Sequence, residues 1–356
     1  MSYNSGEDLA IIKKSLGEIS FEDKSVLVTG GAGFLGSWMC EVLVAQNAKV
    51  LCLDNLASGQ EKNIGHLIGN ENFTFTRHDI SQPIALDTKV DYVIHMASRA
   101  SPLEFEQFPI QIMKANTLGT WIALGVAKKY GARLLFTSTS EIYGDSQIIP
   151  TPETYHGNVN TLGIRGCYDE AKRAGEATCM AYMRQHGVDV RIVRIFNTYG
   201  PRMRADGYYG RVVPRFITQA LSNEPMTIFG EGSQTRSFCY VTDQIEGQLR
   251  FIAQDGLIGE VINIGNPNEL SVMDLAQVIK KITGSESVLR HFPLPQDDPH
   301  RRCPIIEKAH KVLNWSPKVD LETGLKKTVL HMTSERLCFD FIRNTPQLAP
   351  GIRKAI

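Results

Sequence analysis

Tyr168 and Lys172 stand four residues apart in Cys167-Tyr168-Asp169-Glu170-Ala171-Lys172, a spacing that puts both side chains on one face of a helix. A phenol titrating near ~10 is a poor base at neutral pH, but an adjacent ammonium favours the phenolate and can make it a general base toward a hydroxyl proton. With eleven tyrosines in the chain, on the order of one Tyr-x-x-x-Lys match arises by chance, so the spacing needs supporting chemistry. That support begins with Gly30-Gly31-Ala32-Gly33-Phe34-Leu35-Gly36, where Gly31, Gly33 and Gly36 fit G-x-G-x-x-G. The glycines follow the apolar run Ser25–Val28 and lead into helical spacing from Phe34 to Val44, which reads as strand, tight turn, helix. The first two glycines allow the turn and the close approach of a pyrophosphate; the third lets helix pack on strand, and the helix N-terminus receives the phosphates.

The next apolar run, Lys49–Leu53, ends in Asp54, eighteen residues beyond Gly36. This is close to the ~20 at which a carboxylate meets an adenosine ribose. Asn55 rather than Arg follows it, and a carboxylate repels a 2′-phosphate, so the expected dinucleotide is NAD and not NADP. Further strands are expected at Phe73–Arg77, Tyr92–Met96, Arg133–Ser138 and Asp189–Phe196, most of them separated by helical segments, which predicts a doubly wound, Rossmann-like α/β fold with a parallel sheet. Ligands of such sheets lie beyond the carboxyl ends of the strands. Those ends supply Asp79 and Ile80 for an adenine contact, Ala97 and Ser98, Thr139-Ser140-Glu141, and Asn197-Thr198-Tyr199-Gly200-Pro201. His95 falls inside a buried-strand pattern and is read as structural.

Regular alternation stops after Phe196, where Pro and Gly punctuate the chain. The division expected is an N-terminal extension over 1–23, with a short amphipathic helix around Asp8–Leu16 as an appended surface or partner-contacting element; an NAD-binding domain over 24–196, rejoined by about 238–284 with a strand at Val261–Ile264; and a smaller, discontinuous substrate lobe from 197–237 and 285–356, ending in a helix at about Leu321–Met332. Lys+Arg and Asp+Glu both number 38, which leaves no electrostatic footprint for nucleic acid or an anionic membrane. Seven scattered cysteines without a C-x-x-C pair suggest neither a disulfide framework nor a metal site and fit a reducing cytoplasm. No apolar run approaches the ~20 residues of a membrane helix, and the polar N-terminus lacks the core of a signal peptide.

Taken together in chain order, the glycine loop, Asp54, Thr139 and Tyr168-x-x-x-Lys172 make the chain resemble an extended short-chain dehydrogenase/reductase from about Ser25 to about Met332. Within that superfamily it looks most like the UDP-glucuronate decarboxylases. The matching stretches are Ser138–Asp145, Cys167–Glu170, Arg194–Arg202, Gly210–Val213, Gly232–Arg236 and Asp297-Asp298-Pro299. The resemblance implies that Thr139 hydrogen-bonds the reacting sugar oxygen beside Tyr168. It also implies that Ser140 and Glu141 together mark a decarboxylase, because 4-epimerases usually lack the acid at the position of Glu141 and 4,6-dehydratases usually carry Asp-Glu where this chain has Ser140-Glu141.

Oxidising C4 of a glucuronate places a ketone beta to its carboxylate, so carbon dioxide can leave and an enolate remains. Glu141 and Arg302 are the candidates for handling the carboxylate and the protonation that follows, although Arg301 competes with Arg302 for that position. For the UDP moiety the resemblance points to Asn197, Arg211, Val212 and Arg236, with Phe229 stacking on uracil. The resemblance also implies a homodimer through the helices at about Phe105–Tyr130 and Tyr168–His186, and Ile110, Met113, Leu118, Trp121 and Ile122 supply more apolar surface than one buried stripe needs. Arg99 and Phe105 depart from the Pro and Tyr of many relatives, and the loop Arg204–Gly210 is longer. A 4-epimerase, a dehydratase and a non-catalytic nucleotide-binding protein are the alternatives.

Overall fold

The computed structural model describes residues 3–205, 211–294 and 299–344. Seven parallel strands form the central sheet: β1 (Ser25–Thr29), β2 (Lys49–Asp54), β3 (Phe73–Arg77), β4 (Tyr92–His95), β5 (Arg133–Thr139), β6 (Val190–Ile195) and β11 (Val261–Ile264), in the order β11-β6-β5-β4-β1-β2-β3. Val, Leu and Ile fill β1, β4 and β5 and are fully buried, as expected for strands covered by helices on both faces. Register carries this order into function. Thr29 pairs with Leu53 and with His95, and Thr139 pairs with Ile195, so the residues that follow these positions emerge along one edge of the sheet. β4 ends one residue earlier than the sequence suggests and β5 one later, which makes Thr139 the last residue of its strand.

Helices α2 (Phe34–Ala45), α3 (Pro102–Gln107), α4 (Pro109–Asn116), α5 (Leu118–Tyr130) and α6 (Gly166–His186) flank the sheet. α5 and α6 both stop at a glycine in the left-handed region, Gly131 and Gly187, which an L side chain adopts only with strain. The N-terminal helix α1 (Ser5–Leu16) starts earlier than the sequence suggests, because Asn4 caps it through a bond from the Gly6 amide. It is no surface appendage. It packs on α8 (Val241–Ala253), buries Ile12 and Leu16, and sets the fully buried Asp8 to accept hydrogen bonds from Tyr3 and Tyr240 and to pair with Lys327.

Beyond β6 the elements are shorter: β7 (Thr198–Tyr199), α7 (Val212–Leu221), β8 (Met226–Phe229), β9 (Thr235–Ser237), β10 (Cys239–Tyr240), β12 (Glu269–Ser271), α9 (Val272–Thr283), β13 (Leu289–Phe292), β14 (Arg301–Arg302) and α10 (Glu307–Leu313). The small sheets β13-β8 and β12-β9-β14 stand near α7 and α9, and α10 packs on β11. The last helix, α11 (Leu321–Asn344), runs twelve residues past Met332. Thr333 and Ser334 bond back to carbonyls one turn earlier, and Arg336 reaches the end of α7, so no local signal stops it.

Candidate active site

A cavity of about 1180 Å³ opens along the carboxyl edge of the sheet and extends toward the second set of small strands. Its first wall is the turn between β1 and α2. Gly30 has φ +74°, and a Cβ there would meet Ala97 Cα at 2.7 Å; a Cβ on Gly36 would meet the Gly30 carbonyl oxygen at 2.1 Å. The left-handed turn is therefore carried by Gly30, not by Gly31. Gly31 does not line the cavity, and its missing side chain makes room for the sulfurs of Cys52 and Cys40 beneath the loop. Gly33 is the N-cap of α2 and offers no side-chain cap bond, so the first-turn amides face the cavity side of the loop, where an anion is favoured.

Gly30, Gly33, Phe34, Leu35, Gly36, Asp54, Asn55, Asp79, Ile80, Ala97 and Ser98 all line this end of the cavity. Asp54 accepts hydrogen bonds from the Ala32 and Leu56 amides, so it also braces the glycine turn; burial nonetheless raises its carboxyl above the usual range. Asn55 donates to Asp79 across the ends of β2 and β3. A floor that a Cβ would fill, open helix amides and a carboxylate at the ribose position fit a dinucleotide such as NAD.

The other half of the cavity is made of side chains. Thr139, Ser140, Glu141, Tyr168, Lys172, Asn197, Arg211, Val212, Phe229, Arg236 and Arg302 all reach it. Tyr168 is buried and stacks on Phe105, ring centroids 5.2 Å apart at 15°. Burial pushes its phenol well above the ordinary value and the Glu141 charge adds to this; a hydrogen bond with Thr139 and the Arg211 charge pull the other way. Lys172 does lie one turn along the same helix, but its ammonium donates to the Thr137 carbonyl at 2.7 Å and sits 6.0 Å from the Tyr168 ring centroid. Burial lowers it to about 7. His95 is a core histidine, bonded to Thr29 at 2.8 Å and Thr120 at 3.2 Å and lowered to about 3 by burial and then by Lys172.

Glu141 is the electrostatic centre of this second half. Arg302 grips both of its carboxylate oxygens, one of them at 2.7 Å, and Arg165 pairs with it from the start of α6. Burial alone would raise this carboxyl, yet the two guanidiniums outweigh it and hold it at about 2. β14 also separates the two neighbouring arginines. It pairs in parallel with β9, Arg302 beside Arg236, and strand alternation turns Arg302 inward while Arg301 faces solvent and pairs with Glu269.

Sequence reasoning missed Arg165 and Arg202. Arg165 stands three residues before Tyr168 and four before Asp169, so its place beside them was open to inspection, whereas its pairing with Glu141 depends on the fold. Arg202 lines the cavity through contacts distant in sequence, pairing with Glu41 and lying 4.4 Å over Trp38. Arg99, noted as a departure, is paired with Glu104 at 2.5 Å and lies over Phe108. Asp297 and Asp298, and Asp206 to Gly210 of the lengthened loop, lie outside the described residues.

Residues 26–265 match the NAD dependent epimerase/dehydratase family. The chain is 46% identical over 312 residues to UDP-glucuronic acid decarboxylase 1 of Danio rerio, across 88% of this chain and 73% of that protein. It is 45% identical over 301 residues to UDP-glucuronic acid decarboxylase 5 of Arabidopsis thaliana, across 84% and 86%. A solved structure, UDP-glucuronic acid 4-epimerase from Bacillus cereus in complex with UDP-glucuronic acid and NAD, superposes with a TM-score of 0.77 at 29% identity, covering 87% of this chain and 99% of that one. The chain belongs to the NAD dependent epimerase/dehydratase family.

Proposed function

We propose that this family member converts UDP-glucuronate to UDP-xylose and carbon dioxide. The observation that carries the reading is Glu141, clamped by Arg302 and Arg165 in the same cavity as Thr139 and Tyr168. Oxidation at a sugar carbon needs only the hydroxyl, the phenol and the lysine; a second, charged pole beside them suits a substrate that carries a carboxylate.

NAD, when bound, supplies the removal and later return of hydride at C4. Tyr168 takes the C4 hydroxyl proton, with Thr139 holding that oxygen, and returns a proton to it at the end. Lys172, anchored on the Thr137 carbonyl, contributes its charge to the field around the phenol rather than a direct bond to it. Arg302 meets the sugar carboxylate, and Glu141 delivers the proton that C5 needs once carbon dioxide has left. Ser140, buried beside Glu141, packs the turn that orients it. Asn197, Arg211, Val212 and Arg236 hold the UDP moiety, with Phe229 against uracil; guanidinium forks match diphosphate oxygens.

The same reading divides the chain into the extension 1–23, the NAD-binding domain over 24–196 with 238–284, and the substrate lobe over 197–237 and 285–356. It also takes the protein to be cytoplasmic and a homodimer. Ile110, Met113, Leu118 and Trp121, all about half exposed on α4 and α5, support the dimer as a shared apolar face. Sedimentation at micromolar concentration should give twice the chain mass; a monomer there overturns the dimer.

An anaerobic incubation with UDP-glucuronate, followed by mass spectrometry and proton NMR, tests the activity. UDP-xylose with stoichiometric carbon dioxide is expected. UDP-galacturonate without carbon dioxide would instead identify a 4-epimerase, the activity named for the Bacillus cereus structure.

A further inference from the structure

Behind Glu141 lies a second cavity of about 380 Å³, lined by Glu141, Arg165, Asp169, Asp145, Asn158 and His300 among others. Asp169 is 4% exposed, and its Oδ1 has no hydrogen-bond partner among the described residues. Its Oδ2 lies 3.8 Å from Nε of Arg165, and the same guanidinium pairs through Nη2 with Glu141, so one arginine spans two carboxyls. A buried, half-satisfied carboxyl beside a polar chamber is expensive unless it carries a proton or meets water. At about 30 Å³ per water, the chamber has room for several, with polar partners on its walls.

The groups facing Asp169 are Arg165, Glu141, Arg302 and Glu170, with Asp145 and His300 across the chamber. Burial, then the Glu141 charge, raises the Asp169 carboxyl to about 8, which agrees with the neutral state at pH 7.

We propose that Asp169 is the proton store for the carbon-protonation step: it holds a proton while Arg302 grips Glu141, and passes it through water in the second cavity, which both carboxyls line, to Glu141 when the sugar carboxylate draws Arg302 away. This rests on the decarboxylase reading above. Losing part of its counter-charge raises the proton affinity of Glu141, so substrate binding itself moves the proton toward the sugar. The C5–C6 bond then breaks, its electron pair enters the C4–C5 enolate and carbon dioxide leaves. The proton on Glu141 forms the new C5–H bond, and solvent refills the carboxyl pair through the second cavity. Asp169 acts through Glu141 and is a positioning residue.

The test is Asp169→Asn, which keeps the neutral charge and shape but cannot pass a proton on. In a single turnover with UDP-glucuronate, the variant should still oxidise the substrate and release carbon dioxide, while UDP-xylose formation lags by about 10²-fold and the reduced-nicotinamide absorbance persists. Asp169→Glu should recover part of the rate and shift its pH profile, which a purely structural side chain would not do. Wild-type rates of UDP-xylose formation in Asp169→Asn overturn the proposal. If Asp169→Asn fails to fold, infrared spectroscopy of the wild-type protein at pH 7 decides. The carbonyl band of a protonated carboxylic acid should be present and should shift when UDP-glucuronate binds; its absence overturns the proposal. Wild-type protein that releases no carbon dioxide refutes the underlying decarboxylase reading, whatever the variant does.

Discussion

At the glycine-loop end of the cavity the walls are backbone and small side chains, with Gly30 and Gly36 so close that a methyl group would strike a main-chain atom; at the sugar-side end they are long charged side chains, with Glu141 held between Arg165 and Arg302. The first arrangement has one shape and little to rearrange. The second is a set of charges that can exchange partners, because a carboxylate entering the site competes with Glu141 for the same guanidiniums. A site that must hold one ligand still while chemistry proceeds on another is served by this contrast.

If the contrast is right, the largest loss comes from the reacting end without disturbing the binding end. Tyr168→Phe should lower kcat by about 10³-fold or more, near the upper range for a proton-transfer group, with NAD affinity unchanged by fluorescence titration. The ring's stacking on Phe105 survives the change, so thermal stability should stay close to wild type. An unfolded Tyr168→Phe protein would show the phenol to be structural and would erase the proposed separation between the two ends.

Glu141→Gln comes next, with UDP-xylose formation falling about 10²-fold while substrate oxidation in a single turnover persists. The same variant reads the ion cluster in the folded state. Glu141 is held at about 2, below the ~4.3 of an unfolded chain, so its contribution to stability is complete above ~4.3 and is lost as pH falls through about 2. Urea melts from pH 5 down to pH 2 should therefore fall less steeply for Glu141→Gln than for wild type. Parallel curves would show that the two arginines do not hold the carboxylate as described.

Gly36→Ala tests the rigid end. The added Cβ meets the Gly30 carbonyl at 2.1 Å, and the neighbour is backbone, so the turn itself must move, at a cost of about 1–3 kcal/mol by analogy with overpacked cores. NAD affinity should drop by about fivefold to about 150-fold at that cost, while any residual turnover keeps the wild-type ratio of carbon dioxide to UDP-xylose. A changed product ratio would mean that the two ends are mechanically coupled.

The same contrast explains what could be read from the chain. The dinucleotide end is contiguous: one strand, one turn and one helix encode it, and Asp54 follows at a fixed distance, so the local pattern carried nearly all of it except which glycine makes the turn. Only the three-dimensional packing of Cys40 and Cys52 shows that Gly31 faces inward. The sugar-side end is assembled from β5, the start of α6 and β14, the last more than a hundred residues further along the chain than the other two. Thr139, Tyr168 and Lys172 were legible as a set, but the bond of Lys172 to Thr137 and the bridge of Arg165 from Glu141 to Asp169 are long-range facts. The N-terminal helix was legible as a helix and misjudged in place, since nothing local reveals that Tyr240 and Lys327 wait for Asp8.

Arg301 and Arg302 offer the smallest expected effect and the closest control. They are adjacent, equally charged, and separated only by the alternation of a two-residue strand that sends one to solvent and the other onto Glu141. An exposed ion pair such as Arg301–Glu269 gains little over water, so Arg301→Ala should change kcat/KM by about twofold or less. Arg302→Ala removes one of two counter-charges from a buried carboxylate and the group proposed to meet the sugar carboxylate, so it should raise KM for UDP-glucuronate and lower kcat together. Its effect should also depend on pH, because Glu141 loses a partner that holds it ionised and its titration moves upward. Equal losses for the two alanine variants would mean that net charge near the site matters more than which side of β14 the guanidinium occupies, and the sugar-side end would then be a diffuse field rather than a set of assigned pairs.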